Sequence, residues 1–337
     1  MNSIEQAQSK ETTETPLLLS IIIVSYNTRQ MTLDCLRTVE DELRASRLEE
    51  RSEIWVVDNA SSDGSAEAIR QAFPQVRLIA HSHNAGFGAA NNLALREAQG
   101  KYFLLLNSDA FPKAGALAKL IEYADAHPQI GVVGPQLLNA DGSLQVSCWK
   151  FPSPARAWLE NLGLAAMLPQ HPVIGDYFRW AHDSEREVEF VIGACLLVRR
   201  EVYEKVGGFD ETFWMYAEET DWQRRIKDAG WKIMFTPQAQ VTHLGGASGA
   251  GDARINQAFW DSQDLYGRKH HGVQGLLAAR LARLIGSLVR ALLFSWVLWA
   301  FPKRRATLKP KARLHWWLVA RQFTRWNLKK NPSGEKN

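Results

Sequence analysis

Apolar residues in the first third of the chain come in short unbroken runs that end abruptly in polar groups. "LLLSIIIVSYN" closes on Ser25-Tyr26-Asn27, and "EIWVVDNASSDGS" reaches Asp58 and a turn-rich loop. "VRLIA" leads to Asn84, and "YFLLLNSD" closes on Asn107-Ser108-Asp109. Apolar runs without alternation predict strands buried on both faces, the mark of a parallel sheet. The stretch from Thr28 to Ala45, the segment "AEAIRQAF" and a loop-then-helix segment from Asn84 to Gly100 lie between these runs. Strand–helix alternation of this kind predicts an α/β sheet with crossover helices.

The pattern loosens after "IGVVGPQLLNADGSLQ", where glycine, proline and an Asn139-Ala140-Asp141-Gly142 turn punctuate it. Residues 148–186, rich in proline and aromatic residues, read as an irregular insertion. "VEFVIGACLLVRREVYEKVGGFD" predicts a strand and a short helix, "WMYAEETDWQRRIKDAGW" a helix, and "KIMFTP" and "AQVTHLGG" two short strands.

In open α/β sheets, ligands bind outside the carboxyl ends of the strands. Asn, Asp and Ser at one strand end need only make a turn. Four polar ends on one rim predict a shared site instead. No GxGxxG or GxxxxGK[ST] follows the first strand, so neither a dinucleotide fingerprint nor a Walker cradle is present. The phosphates of a nucleotide would then call for Mg²⁺ or Mn²⁺, which bind through one or two carboxylates plus phosphate oxygens. Asp109 is suited to that role. A second acidic group, Glu218, Glu219 and Asp221, lies among Phe213, Trp214, Tyr216 and Trp222. Carboxylates among aromatic rings predict a cleft rather than a solvated helix face, and a raised pKa there suits a general base.

Charge is divided unevenly. Residues 265–334 hold 15 Lys and Arg and no acid, whereas residues 1–264 carry a net −11. That split predicts an acidic body, with a basic tail meeting an anionic surface. The three cysteines, Cys35, Cys148 and Cys195, lack CxxC spacing and predict no disulfide framework. "MNSIEQAQSKETTETP" lacks an h-region, so residues 1–16 are expected to be a disordered tail, not a secretory signal. In the basic segment, Arg280, Arg283, Ser287 and Arg290 share one helical face and the rest is apolar. The apolar stretch after Arg290 is shorter than the ~20 residues a spanning helix needs. Arg and Lys on one face with Trp and Leu on the others predict a helix lying in an anionic bilayer interface. The alternative is a helix packed on the body. Nucleic acid is not an expected partner, since it has no use for so broad an apolar face.

Taken in order, "SIIIVSYN", "VVDNASSDGS", "NAGFGAANN", "LLLNSDA", "GACLLVRREVYEKVGGFDETFWMYAEETDW" and "VTHLGGAS" resemble the family-2 inverting glycosyltransferases of GT-A fold, and within them the bacterial rhamnosyltransferase-like group. The resemblance covers roughly residues 17–248. With the basic, membrane-associating helical tail read from charge and apolar pattern over residues 265–337, the resemblance implies a catalytic domain over residues 17–264. It places "NSD" at the family's DXD-type metal motif, with Asp109 the metal ligand and Asn107 and Ser108 beside the sugar nucleotide. Ser25, Tyr26, Asn27 and Asp58 fall where the family holds base and ribose, and Asn84, Asn91 and Asn92 in the nucleotide-facing loop. Glu218-Glu219 occupy the ED-type position of the base, with Glu219 where an Asp is usual. His243 falls where many GT-A enzymes have a further metal ligand.

The activity so implied is inverting transfer of a sugar, L-rhamnose by resemblance, from a dTDP- or UDP-linked donor to a glycan or polyprenyl-linked acceptor. It would serve cell-surface polysaccharide synthesis at the cytoplasmic face of the cell membrane. The competing expectations are a nucleotidyltransferase of similar layout and a membrane-anchored sugar-nucleotide binder without transfer activity.

Overall fold

The structure, a computed structural model, describes residues 16–168, 171, 174, 175, 177, 180–245 and 253–323. The expected N-terminal tail, apart from Pro16, lies outside them, as do Ala247, Ser248 and the segment "RWNLKK". Strands and helices alternate first as β1 (Leu19–Ser25), α1 (Arg29–Ala45), β2 (Ser52–Asp58), α2 (Ser65–Ala72), β3 (Arg77–Ala80), α3 (Phe87–Glu97) and β4 (Tyr102–Asn107). β5 (Ala110–Pro112), α4 (Ala116–Ala126), β6 (Ile130–Leu138), β7 (Leu144–Gln145) and β8 (Cys148–Trp149) follow. The chain continues through α5 (Pro154–Asn161), α6 (Leu164–Met167), β9 (Arg186–Glu187), β10 (Phe190–Val191), β11 (Cys195–Arg199) and α7 (Arg200–Val206). It ends in α8 (Glu218–Asp228), β12 (Lys232–His243), α9 (Ala253–Ala300) and α10 (Arg305–Arg321).

The main sheet runs β3-β2-β1-β4-β11-β6-β12-β5. β1 through β4 are mutually parallel, as the apolar runs predict. β11 enters antiparallel between β4 and β6, so the sheet is mixed. Successive residues of β1 feed opposite layers. Leu19, Ile21 and Ile23 pack with α1 and α4, and Ile22 with α3 and α8 residues. Each fully buried aliphatic side chain contributes about 1.5–3 kcal/mol, which favours this central strand strongly.

Three local expectations need correction. The two short strands at 232–243 are one strand, whose pairing to β6 slips between Thr236 and Gln240. Pro237 lies in that slip, because it has no N–H for the ladder. Residues 148–186 are not wholly irregular, since they contain α5 and α6. The predicted helix from Trp214 starts only at Glu218. Tyr216 and Ala217 adopt left-handed backbone, φ 66° and 64°. Tertiary packing overrides the helical pattern there, because Phe213 and Ala217 are buried against Tyr266 of α9.

The basic segment also differs from expectation. α9 kinks at Gly272, and α10 folds back along it. The arginine face turns inward, not toward solvent. Arg283 and Arg321 (Nη1 to Oδ2, 3.1 Å) pair with Asp264, which is fully buried. Arg280 bonds the Arg321 carbonyl, and Arg290 the Glu160 carbonyl of α5. A buried carboxylate needs paired charge, and guanidinium forks supply it. The outward face is therefore apolar, with Leu277, Leu281, Leu292, Trp296 and Trp299 exposed. Lys303, Arg304, Arg305, Lys309, Lys311 and Arg313 are exposed at the elbow and along α10. Among the described residues, Gln257–Ala300 is a helix long and apolar enough to cross a membrane by length and composition.

Candidate active site

Sheet register brings the polar strand ends together. Ser25 pairs with Asp58, and Val24 with Asn107, so the ends of β1, β2 and β4 share one rim. At the β2 end, Asp58 is buried. Its Oδ2 accepts the Ser61 amide at 3.1 Å, while Oδ1 has no partner. A carboxylate oxygen left without a partner on this rim is suited to N–H or O–H groups of a base or ribose. Asn27 adopts left-handed backbone (φ 52°) and accepts the Ser62 amide at 2.8 Å, tying the β1 and β2 loops together. Tyr26 beside it is exposed.

Other predicted residues are committed elsewhere. Ser25 and Ser108 belong to a buried hydroxyl network with Thr28 and Thr32, at 2.9–3.2 Å. Asn84 accepts an amide hydrogen of Asn59 at 2.9 Å and the Gly86 amide at 3.0 Å, shaping the loop before α3. Asn91 bonds the Phe87 carbonyl, and Asn92 both backbone groups of Phe209. Asn92 thus supports the 207–213 loop rather than facing a nucleotide directly. Asn59, beside Asp58 at the polar end of β2, is legible in the sequence, whereas Thr28, Thr32 and Gln145 are not, because single polar residues carry no periodic signal.

The metal-type residues converge across the sheet. His243 pairs with Ala110 in the β12–β5 ladder, which sets its ring beside Asp109. His243 Nε2 lies 3.3 Å from Asp109 Oδ1 and 3.4 Å from Asn107 Nδ2. Both side chains are largely buried. His243 Nδ1 donates to Gln145 Oε1 at 2.7 Å, which turns Nε2 toward the carboxylate. Nε2 and the carboxylate oxygen suit each other when a proton or a cation lies between them. Their spacing is close to that of neighbouring ligands on an octahedral ion with bonds of about 2.1 Å. The residues therefore fit a hard divalent cation, with Asn107 next to it. Among the described residues no group of three or more His, Cys, Asp or Glu is gathered, so the set is a pair.

Glu218 and Glu219 open α8, with Glu218 buried. Gly86 and Gly88 let the loop before α3 press against this region. A Cβ on Gly86 would lie 2.0 Å from the Trp214 carbonyl oxygen, and one on Gly88 would lie 3.4 Å from Glu218 Cβ. Burial, then the charge of Glu219, raises the Glu218 carboxyl well above its ordinary range. Burial also raises Glu219, with the amides of Glu219, Thr220 and Gly193 pulling the other way. Gly193 precedes Ala194, whose carbonyl accepts the Asn107 amide at 2.9 Å, so Glu219 is the acid tied to the metal-type rim. Asp221 is different. Burial would raise it, but hydrogen bonds from His270, Lys269 and Arg225 bring it down to about 2. All its lone pairs of use are engaged, and it serves as an anchor rather than a proton acceptor.

Residues 20–207 match glycosyl transferase family 2, and residues 178–245 match the N-terminal domain of galactosyltransferase. The chain is similar to the N-acetylglucosaminyl-diphospho-decaprenol L-rhamnosyltransferase of Mycobacterium tuberculosis, 34% identical over 202 residues. That match covers 56% of this chain and 66% of the relative, just under two thirds of its length. The O-antigen biosynthesis protein RfbC of Myxococcus xanthus is 29% identical over 254 residues, covering 73% of this chain and 19% of that protein. Among solved structures, the mannosyltransferase PcManGT from Pyrobaculum calidifontis, in complex with GDP-Man and Mn²⁺, superposes with a TM-score of 0.53. It is 18% identical, with 91% of this chain and 88% of that one covered. GalNAc-T7 with UDP, GalNAc and Mn²⁺ gives a TM-score of 0.51 at 16% identity, over 75% of this chain and 51% of that one. The two structures support the expected GT-A type of fold.

Proposed function

The chain belongs to glycosyl transferase family 2, and from that premise we propose that it moves one sugar from a nucleoside-diphosphate donor to a hydroxyl of a lipid-linked glycan, with inversion. The approach of His243 to Asp109 on the rim of the nucleotide-type strand ends is the observation that carries this reading. L-rhamnose on dTDP or UDP is the donor suggested by the mycobacterial relative's name. Its diphospho-decaprenol substrate suggests a polyprenyl-linked acceptor here.

Asp109 and His243 would hold Mg²⁺ or Mn²⁺, whose charge offsets that of the departing diphosphate. Asp58 Oδ1 accepts hydrogen bonds from the base or ribose and so orients the donor. Tyr26 offers its exposed ring at the same end. The acceptor oxygen forms its bond to the anomeric carbon as the bond from that carbon to the diphosphate oxygen breaks. Glu219 takes the acceptor proton, and the nucleoside diphosphate leaves. Glu218 carries a proton throughout, because two buried neighbouring carboxylates do not both ionise readily. Glu219 remains the anionic partner, helped by the amides around it.

The apolar outer face of α9 would lie in the headgroup region of an anionic bilayer, with the elbow cations against phosphates. That position on the cytoplasmic face would give access to a lipid-linked acceptor. The reading is tested with a panel of nucleotide sugars assayed with Mn²⁺ and with EDTA. Transfer from one donor that stops on chelation supports it. Donor binding without transfer would favour the anchored binder instead.

A further inference from the structure

One buried carboxylate joins the base-bearing helix to the C-terminal helix. Asp221 Oδ1 lies 2.7 Å from Lys269 Nζ and accepts from His270 Nε2–H at 2.8 Å. Its Oδ2 accepts from Arg225 Nε at 2.9 Å. Lys269 also bonds Asp210 Oδ2 at 2.5 Å, and Arg225 donates to the Gly208 carbonyl at 2.7 Å. α8, the 207–213 loop and α9 thus meet at a side chain with no solvent exposure.

The segment leading into α8 needs such support. Tyr216 and Ala217 both take left-handed backbone, which neither residue type favours. α9 holds this segment from outside. Ser262 Oγ donates to the Met215 carbonyl at 2.8 Å, and Tyr266 packs on Phe213 and Ala217. Glu218 and Glu219 follow directly, so their carboxyl positions depend on contacts made by a helix that contributes no group to the rim.

We propose that Lys269 and His270 are positioning residues for Glu219, acting through Asp221, so that α9 completes the active site as well as bearing the apolar face. The proposal rests on the reading of Glu219 as the proton acceptor. A displacement of about 1 Å in a reacting group can cost roughly 10²-fold in rate. Lys269 and His270 sit ahead of the Gly272 kink, on the part of α9 packed on the catalytic body.

The test is steady-state kinetics of the full chain carrying Lys269→Met or His270→Gln, alone and combined with Glu219→Gln. Expected is a fall in kcat of roughly 10- to 100-fold for Lys269→Met at unchanged donor KM, with partial recovery in Lys269→Arg. Neither α9 substitution should lower kcat further in the Glu219→Gln background, because the group they position is already gone. His270→Gln keeps a hydrogen-bond donor and guards against loss of folding, followed by Tm. Unchanged kcat in Lys269→Met would overturn the proposal. So would an equal further loss in the Glu219→Gln background, which marks a merely structural role. If Glu219→Gln itself keeps normal kcat, the reading of the base fails instead.

Discussion

His243 Nε2 faces Asp109 Oδ1 at 3.3 Å because Ala110 and His243 are paired residues of neighbouring antiparallel strands. The ladder fixes the two side chains relative to each other before any ligand arrives. Asp109→Asn should remove most activity and leave the fold intact, since a neutral amide is a poor ligand for a hard cation. Gln145→Leu frees the His243 tautomer and should weaken apparent Mn²⁺ affinity by about 10- to 100-fold. Turnover against Mn²⁺ concentration reads both. Near-wild-type turnover of Asp109→Asn at limiting Mn²⁺ would sink the metal role.

The two glutamates should separate by pH. Glu219 must be ionised to accept a proton, and burial raises its carboxyl above the ~4.3 of free Glu, so kcat should fall as pH drops. Glu219→Gln should lose at least the ~10²-fold typical of general-base help. Glu218 works in the opposite sense for stability. Its proton is bound more tightly in the folded chain, so its stabilising contribution is complete below pH ~4.3 and is lost as pH rises. Glu218→Gln should therefore raise Tm more at pH 8 than at pH 5. A Tm gain that does not grow with pH would show that Glu218 is not held protonated.

Much of this arrangement is visible in the sequence. β1, β2 and β4 read directly as buried strands, because residues bound for both layers of a central strand are all apolar. Their polar ends mark the rim for the same reason, since the apolar run stops where the strand leaves the core. The antiparallel insertion of β11 is not visible, as "CLLVR" looks the same in either direction. Tyr216 and Ala217 fit a helical period, and only their burial against α9 dictates otherwise. The arginine stripe of α9 shows its periodicity but not its partner. Asp264, the carboxylate that draws it inward, looks like an ordinary polar residue in "DSQDLYG".

The outward face of α9 predicts how vesicle binding should respond. Trp296 and Trp299 are exposed, at 57% and 80%. Burying such a side chain in a bilayer contributes about 2 kcal/mol, so each Trp→Ala change should lower vesicle partition roughly 30-fold. High salt should release only part of the protein, since apolar burial is not screened. Co-sedimentation with anionic vesicles measures both effects. Full release by salt alone would assign the binding to the elbow cations.

The inward arginines should affect stability and leave membrane binding alone. Arg283 pairs with Asp264, which is 1% exposed at the side chain. Removing one partner of a buried ion pair typically costs 3–5 kcal/mol, because a charge is left uncompensated. Here Arg321 still bonds Asp264 and Arg280 lies 3.9 Å away, so Arg283→Met should fall at or below the low end, about 2–3 kcal/mol. Vesicle partition of the folded variant should match wild type, because Arg283 does not face outward. Cutting the chain after Gly272 removes Arg280, Arg283 and Arg321 together and bares the surface under α9. The shortened protein should aggregate rather than persist as a soluble, donor-hydrolysing domain. Thermal melts and light scattering check the two variants. A soluble truncation with wild-type Tm would show that the helical hairpin is only an anchor. Lost vesicle binding in folded Arg283→Met would return the arginine face to the membrane.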